Sequence, residues 1–361
     1  MDIMIYLTER CNLQCKYCET VEDRSKFTLD PSYSMETLKS FLNKVPNLTI
    51  HFYGGEPMLN IQMLKFILDN IKYNYATLQT NGFNINEIEL KYLNKIRVIS
   101  FSIDGRKEQN DLWRGKGAYD SVLVQAKKLR EHGFKGEINA RMTVSPGLDI
   151  EKEVKHLLSL GLFDKIHWQL NALFNGNEWK ENKEDIIKWF REDYNLKLLS
   201  LIDMFADEIN KNNKVLQIVP FTGVLYSFLS KKPVNNVRCG AGHEFWAIAT
   251  NGEIFPCPVM RNFPEFSLGN ISKITPQDLN PKCMLTEKCT SCYLFSLCGG
   301  RCLNANLRNE WDEEGFKLVC SSVYALIFGL ANHVDMIREK IKQGKISIND
   351  FENFHDYEVM P

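Results

Sequence analysis

Along the first 215 positions, apolar residues fall in two alternating periods. Short runs with period two are followed by stretches in which apolar residues recur every three and four positions, the pattern of strands followed by amphipathic helices. In residues 119–130, Tyr119, Val122, Leu123, Ala126 and Leu129 share one face and Lys127, Lys128 and Arg130 lie off it. This predicts a helix covering a sheet. Six such strand-plus-helix units can be counted, and their connectivity builds a parallel sheet.

The strands themselves alternate, whereas strands of a parallel sheet covered on both faces read as continuous apolar runs. In residues 97–104, Ile99, Phe101 and Ile103 oppose Ser100, Ser102 and Asp104. Residues 137–144 set Ile138, Ala140, Met142 and Val144 against Glu137, Asn139, Arg141 and Thr143, and residues 165–171 set Ile166, Trp168 and Leu170 against Lys165, His167, Gln169 and Asn171. A closed eight-stranded barrel fills its interior with branched apolar side chains, so a polar inner face predicts a wider or open barrel that holds a ligand. The alternative, a sheet with one solvated face, belongs mainly to antiparallel sheets.

Farther on, Phe245 to Ala249 and Glu253 to Phe255 flank Thr250-Asn251-Gly252, which predicts a hairpin. Ser321 to Lys342 reads as a helix with Val323, Ile327, Leu330 and Val334 on one face. The 361 residues, 44% hydrophobic and 25% charged, suit a globular chain of more than one domain. With 44 basic against 45 acidic residues and a net charge of -1, nothing predicts a nucleic-acid partner or an anionic membrane surface. The opening Met-Asp-Ile-Met-Ile-Tyr-Leu-Thr-Glu-Arg has no basic n-region and no long apolar run, so the expected location is the cytoplasm.

In a reducing compartment, eleven cysteines are metal ligands or reactive thiols before they are disulfides. Cys11, Cys15 and Cys18 follow the first strand, Ile3 to Thr8, and the other eight lie between Cys239 and Cys320. Three thiolates on a 4Fe-4S cluster leave one iron free for a small chelating molecule, while an electron-transfer cluster takes four. Zinc is the alternative, although three cysteines without a histidine in the loop leave such a site incomplete.

Cys11-Asn-Leu-Gln-Cys15-Lys-Tyr17-Cys18, with an aromatic residue before its last cysteine, resembles the signature of the radical S-adenosylmethionine (SAM) superfamily. Gly54-Gly55-Glu56-Pro57 after the second strand, Gln79-Thr80-Asn81-Gly82 at the end of the third and Ser102-Ile-Asp104-Gly105 after the fourth extend the resemblance. It implies an α/β fold with a partial (β/α)6 TIM-like barrel, and a 4Fe-4S cluster on Cys11, Cys15 and Cys18 whose spare iron is chelated by SAM. It further implies that Gly54, Gly55, Glu56 and Pro57 contact the SAM amino group, that Ser102 and Asp104 bind its ribose or carboxylate, and that Tyr17 lies near the adenine. Arg141, on the polar inner face, suits the carboxylate because its planar fork matches one. Taken singly these signals are weak: Gly-Gly serves many turns, and Asp-Gly is a common turn dipeptide.

Cys239-x12-Gly252-x4-Cys257, Cys289-x2-Cys292-x5-Cys298-x3-Cys302 and Cys320 resemble the SPASM extension of radical SAM enzymes that modify peptides. Without the family, the same spacing also describes a zinc ribbon. The resemblance implies two auxiliary 4Fe-4S clusters, one on Cys289, Cys292, Cys298 and Cys320, the other on Cys239, Cys257 and Cys302 with its fourth ligand unassigned. Sulfatase-maturating members place that ligand six residues after the first cysteine, where this chain has Phe245. Cys283 could close this cluster, donate a hydrogen atom to a substrate radical, or pack as a small apolar residue. The expected division is a barrel at 1–215, a bridging segment at 216–238, a C-terminal cysteine-rich SPASM domain at 239–325 and a helix with tail at 326–361.

What the resemblance implies is reductive cleavage of SAM to a 5'-deoxyadenosyl radical that takes hydrogen from a residue of a ribosomally made peptide, giving a cross-linked, epimerised or oxidised product. A flavodoxin or ferredoxin-type donor is the expected source of electrons. Two alternatives stay open. Formylglycine formation as in anaerobic sulfatase maturases is one, but the family's proposed base after the Gly-x4-Cys cysteine is an aspartate, and here it is Pro258. An iron-sulfur electron-transfer protein is the other. Cyclisation of a nucleotide would need a different C-terminal cysteine spacing. With Cys11 so near the start, a leader peptide would be read by a separate protein or the barrel rim. His167, Glu137 and Gln169 face the lumen as weak candidates for substrate contact.

Overall fold

The computed structural model describes residues 1–18, 27–171, 176–279, 285–308, 311–352 and 359–361. They form two compact units, Met1–Arg141 with Gly240–Met284, and Met142–Cys239 with Leu285–Pro361.

The first unit holds β1 (Asp2–Tyr6), β2 (Thr49–Tyr53), β3 (Tyr75–Thr80), β4 (Val98–Ser102) and most of β5 (Glu137–Val144), each parallel to the next. Register explains the alternation read in the sequence. Ile5, Phe52, Leu78, Ile99 and Ile138 are successive Cα partners and all are buried, forming one row of the apolar face. The row Gln79, Ser100 and Asn139 faces the other way. The predicted helix runs Ala118–Glu131 and buries Tyr119, Val122, Ala126 and Leu129, while Leu123 is half-buried at the edge of the stripe.

The hairpin forms from β7 (Phe245–Ile248) and β8 (Glu253–Phe255), with Gly252 at φ 82° in its turn. Its strands continue the sheet: β7 pairs in parallel with β1, Asp2 opposite Phe245, and the two-residue β9 (Gly269–Asn270) follows β8. Only pairing of this sort supplies β1 with a second neighbour, which an open row of βα units leaves missing.

In the second unit β5 runs on and β6 (Lys165–Leu170) stands beside it, with the Asn171 N–H donating to the Val144 carbonyl at 2.8 Å. The strand order ends at β6 and at β9, so the sheet is not closed, and the fold is the partial barrel that the pattern implied. Trp168 of β6 is fully buried. Its indole N–H donates to the Tyr194 hydroxyl at 3.0 Å, and the Phe221 ring meets it edge-on.

The tail differs from the sequence expectation in both bounds and continuity. A helix begins at Glu313, eight residues early, because Asp312 caps it, accepting from the Gly315 N–H, and Glu313 and Glu314 suit its first turn. It stops at Ala331, and a second helix spans Val334–Lys342. Val323, Ile327, Leu330 and Val334 are all buried, as their spacing required. By length and composition Glu313–Lys342 could cross a membrane, but its apolar face is used in packing. At Gly329 a Cβ would come within 2.8 Å of Ile202, so the helix Asn195–Asn212 lies close against it.

Candidate functional site

The loop after β1 carries Cys11, Cys15 and Cys18, all half-buried. Backbone stapling fixes its entry. The Gly55 N–H donates to the Thr8 carbonyl at 2.9 Å and the Glu56 N–H to the Arg10 carbonyl at 2.8 Å. Glycine is required here for space: a Cβ at Gly54, whose φ is 144°, would sit 2.3 Å from the Thr8 oxygen, and one at Gly55 2.3 Å from that of Arg10. Gly54 and Gly55 therefore hold the loop after β2 against the segment leading into Cys11.

Glu56 locks the same loop to β3. It is fully buried and accepts from the Met58 N–H at 3.0 Å, the Thr80 hydroxyl at 2.7 Å and the Asn81 N–H at 2.8 Å. Burial raises its carboxyl to about 7 against these donors. Pro57 starts a short 3-10 turn where its missing N–H costs nothing. The Asn81 amide reaches Asn12 at 2.7 Å and the Cys11 sulfur at 3.8 Å, so the ends of three strands converge on the cysteine loop.

From the other side, the helix Lys107–Arg114 docks its last turn on the loop. The Lys16 N–H donates to the Trp113 carbonyl at 2.9 Å, and Tyr17 stacks on Trp113 with ring centres 5.8 Å apart. Arg114 grips Asp104 through two bonds, Nε to Oδ2 at 2.9 Å and Nη2 to Oδ1 at 2.7 Å, and the Tyr17 hydroxyl donates to Asp104 Oδ2 at 2.6 Å. The Asp104 carboxylate thus meets both Arg114 and Tyr17, an arrangement that the sequence did not reveal. Its one signal was an arginine just before Gly115, which any exposed helix end also shows. A second buried pair ties in the hairpin. Arg261 holds Glu9 at 3.1 and 3.3 Å and donates to the Pro258 carbonyl at 3.0 Å, which also receives the Tyr6 hydroxyl at 3.2 Å.

Ser102 is buried and is the Cα partner of Arg141, which is half-buried on the same face of the sheet. Asn139, two residues earlier, is buried, and neither end of its amide has a hydrogen-bond partner among the described residues. The Trp113 indole N–H, beside Tyr17, likewise has none. Such orphaned groups are costly unless a ligand or water meets them. They fit a polar ligand in the lumen. Glu137 is half-buried at the start of β5, while His167 is buried and Gln169 half-buried on β6 in the second unit.

The three thiols suit a cationic cluster. Burial, Glu56 and the neighbouring sulfurs push Cys11 up to about 11, and burial raises Cys15 despite Arg114. A bound metal reverses this preference by deprotonating its ligands. No group of three or more His, Cys, Asp or Glu among the described residues is arranged to hold a single metal ion.

In the second unit Cys289, Cys292, Cys298 and Cys320 line one cavity of about 110 Å3, with Cys302 also on its wall. Burial and the mutual field of the sulfurs push Cys289 up to about 11 and Cys320 up to about 12. Cys257 belongs to the first unit, and Cys239 and Cys302 to the second. Cys283 lies outside the described residues.

Residues 5–160 match the sequence profile of the radical SAM superfamily. A serine-type anaerobic sulfatase-maturating enzyme of Bacteroides thetaiotaomicron is 23% identical, over 94% of this chain and 91% of its own length. Among solved structures, native anSMEcpe with bound AdoMet and Cp18Cys peptide aligns with a TM-score of 0.69 at 21% identity, over 94% of this chain and 99% of that one. SuiB of Streptococcus suis bound to the precursor peptide SuiA aligns at 0.59 and 18%, over 84% and 72%. The three-thiol loop is thus the leading edge of a radical SAM domain at residues 5–160, and the chain that carries this domain is an enzyme.

Proposed function

We propose that this enzyme modifies a side chain of a ribosomally made peptide, using three 4Fe-4S clusters and SAM. The observation that carries this reading is the pairing of a three-thiol loop, braced by Gly54, Gly55 and Glu56, with a cavity lined by Cys289, Cys292, Cys298 and Cys320 and also by Cys302. A three-thiol site leaves an iron for SAM and a four-thiol site does not. Relatives whose solved structures contain peptides support the substrate class.

Cys11, Cys15 and Cys18 would hold the SAM-binding cluster, and Gly54 to Pro57 would offer close backbone approach to the SAM amino group. Ser102 and Arg141 would take the carboxylate. Tyr17 and Trp113 would flank the adenine, and Asp104 acts through Tyr17 and Arg114 as a positioning residue. When bound and reduced, the cluster and SAM supply a 5'-deoxyadenosyl radical able to take hydrogen from an unactivated carbon. The chain's own work is to orient the reacting groups and keep water out. Cys289, Cys292, Cys298 and Cys320 would hold one auxiliary cluster, and Cys239, Cys257 and Cys302 the other, its fourth ligand unassigned. A flavodoxin or ferredoxin-type protein in the cytoplasm would deliver the electrons.

Against sulfatase-type formylglycine formation stands the Pro258 segment. Pro258 has no side-chain base, and its carbonyl is held by Tyr6 and Arg261. An electron carrier would have no use for the glycine-braced loop. The test is anaerobic reconstitution with iron and sulfide, then dithionite, SAM and candidate peptides encoded beside the gene. Roughly twelve iron atoms per chain and release of 5'-deoxyadenosine are expected from three four-iron clusters. About four iron atoms would remove the auxiliary assignment, and absence of deoxyadenosine would favour the carrier.

A further inference from the structure

One sulfur of the cysteine-lined cavity in the second unit has a side-chain hydrogen-bond donor of its own. Asn306, buried in the helix Leu303–Arg308, points its amide nitrogen at the Cys289 sulfur at 3.0 Å. The amide orientation is fixed by its other end, whose oxygen accepts the Thr286 N–H at 2.7 Å. Flipped, the amide would set its NH2 against that N–H and its oxygen against a sulfur. Directly after Cys298, Gly299, Gly300 and Arg301 follow one another at φ 71°, 81° and 58°. This left-handed run turns the N–H groups of Gly300 and Arg301 onto Cys298, a backbone concavity of the kind that receives anions. The backbone donors cannot be removed by substitution, but Asn306 can.

We propose that Asn306 sets the reduction potential of the auxiliary cluster carried by Cys289, Cys292, Cys298 and Cys320. The inference rests on the assignment of that cluster above. A ligating cysteine is a thiolate, and an N–H dipole aimed at its sulfur stabilises the cluster more after it has gained an electron than before. Asn306 therefore makes the potential less negative. It acts through the Cys289 sulfur and is a positioning residue, with no part in hydrogen abstraction.

The test uses the full chain with Cys11→Ala, Cys15→Ala and Cys18→Ala together, which leaves only the auxiliary clusters, and adds Asn306→Ala or Asn306→Asp. Asp keeps an acceptor for the Thr286 N–H while placing an oxygen against the sulfur. Iron content is measured first, and the clusters are then titrated with dithionite, which adds one electron to each oxidised cluster, and followed by paramagnetic resonance. Expected are unchanged iron and one midpoint moved to more negative potential, farther for Asp than for Ala. Resonance Raman of the Asn306 parent should show an Fe–S stretching band that shifts in D2O and stops shifting in the Ala variant. Unchanged iron with unmoved midpoints overturns the proposal, as does loss of about four iron atoms from both variants, which would make Asn306 an assembly residue. A parent holding almost no iron fails earlier, since it removes the auxiliary clusters themselves.

Discussion

Asp104 shows how one side chain is decided by its neighbours. Its place at the end of β4 is where the resemblance expects a contact to SAM, and there Arg114 meets both its oxygens and Tyr17 one of them, with Asp104 and Arg114 buried. Replacing Arg114 by Leu leaves this carboxylate buried without its guanidinium counter-charge, and such breaks cost about 3–5 kcal/mol. Adding Asp104→Asn should return part of the loss, so that the double variant loses less than the sum of the singles. Urea unfolding of the anaerobic holoprotein measures this, and strictly additive losses would show that the pair does not act as a unit. The cysteine spacing was legible in the sequence, and Gly54 to Pro57 were singled out by the resemblance that this spacing carries. Arg114 and Trp113 were not, since an Arg at a helix end is usually a solvated charge.

Among the elements, the cysteine loop and the loop after β2 depend on each other through close backbone approach. With its Cβ 2.3 Å from the Arg10 oxygen, Gly55→Ala should push the loop out of place and lower bound iron by about four atoms per chain. Iron analysis after reconstitution checks it, and full iron loading with normal SAM binding would show the approach is not needed. Helix caps give a pH signature in the second unit. Asp149 caps Ile150–Leu160, accepting from the Lys152 N–H, and pairs with Lys152 at 3.2 Å and Lys197 at 2.9 Å. Burial opposes its ionisation, but the bonds from Lys197 and Lys152 win, and its carboxyl lies below the usual range. Its contribution to stability is therefore complete above the unfolded value near 3.8 and lost as pH falls through the lower folded value. Asp149→Asn keeps a cap but should flatten this part of the acid limb, read as the change in urea midpoint between neutral and acid pH. An unchanged slope would assign the limb to other carboxylates. The tail helices show what periodicity misses: it gave the buried face of Val323, Ile327, Leu330 and Val334, but not the start at Glu313, set by the Asp312 cap, nor the break after Ala331.

At the scale of the whole molecule, Cys11, Cys15 and Cys18 belong to one compact unit and Cys289, Cys292, Cys298 and Cys320 to the other. Cys298→Ala should then lower iron by about four atoms per chain while SAM cleavage to 5'-deoxyadenosine persists. Iron analysis and chromatography of the reduced protein with SAM measure both, and loss of all iron would mean that the chain assembles its clusters as one.

The sequence by itself determined the alternation of strand and helix, the polar inner face of the sheet and the identity of the thiols, because period and spacing are local properties of a chain. Tertiary structure alone decided that the hairpin pairs with β1, that Asp104 belongs to Arg114 and Tyr17, and that Asn306 points at a sulfur. Each of those joins residues that the chain keeps apart, from Asp2 and Phe245 down to Cys289 and Asn306, and only register and packing bring such partners within hydrogen-bonding reach.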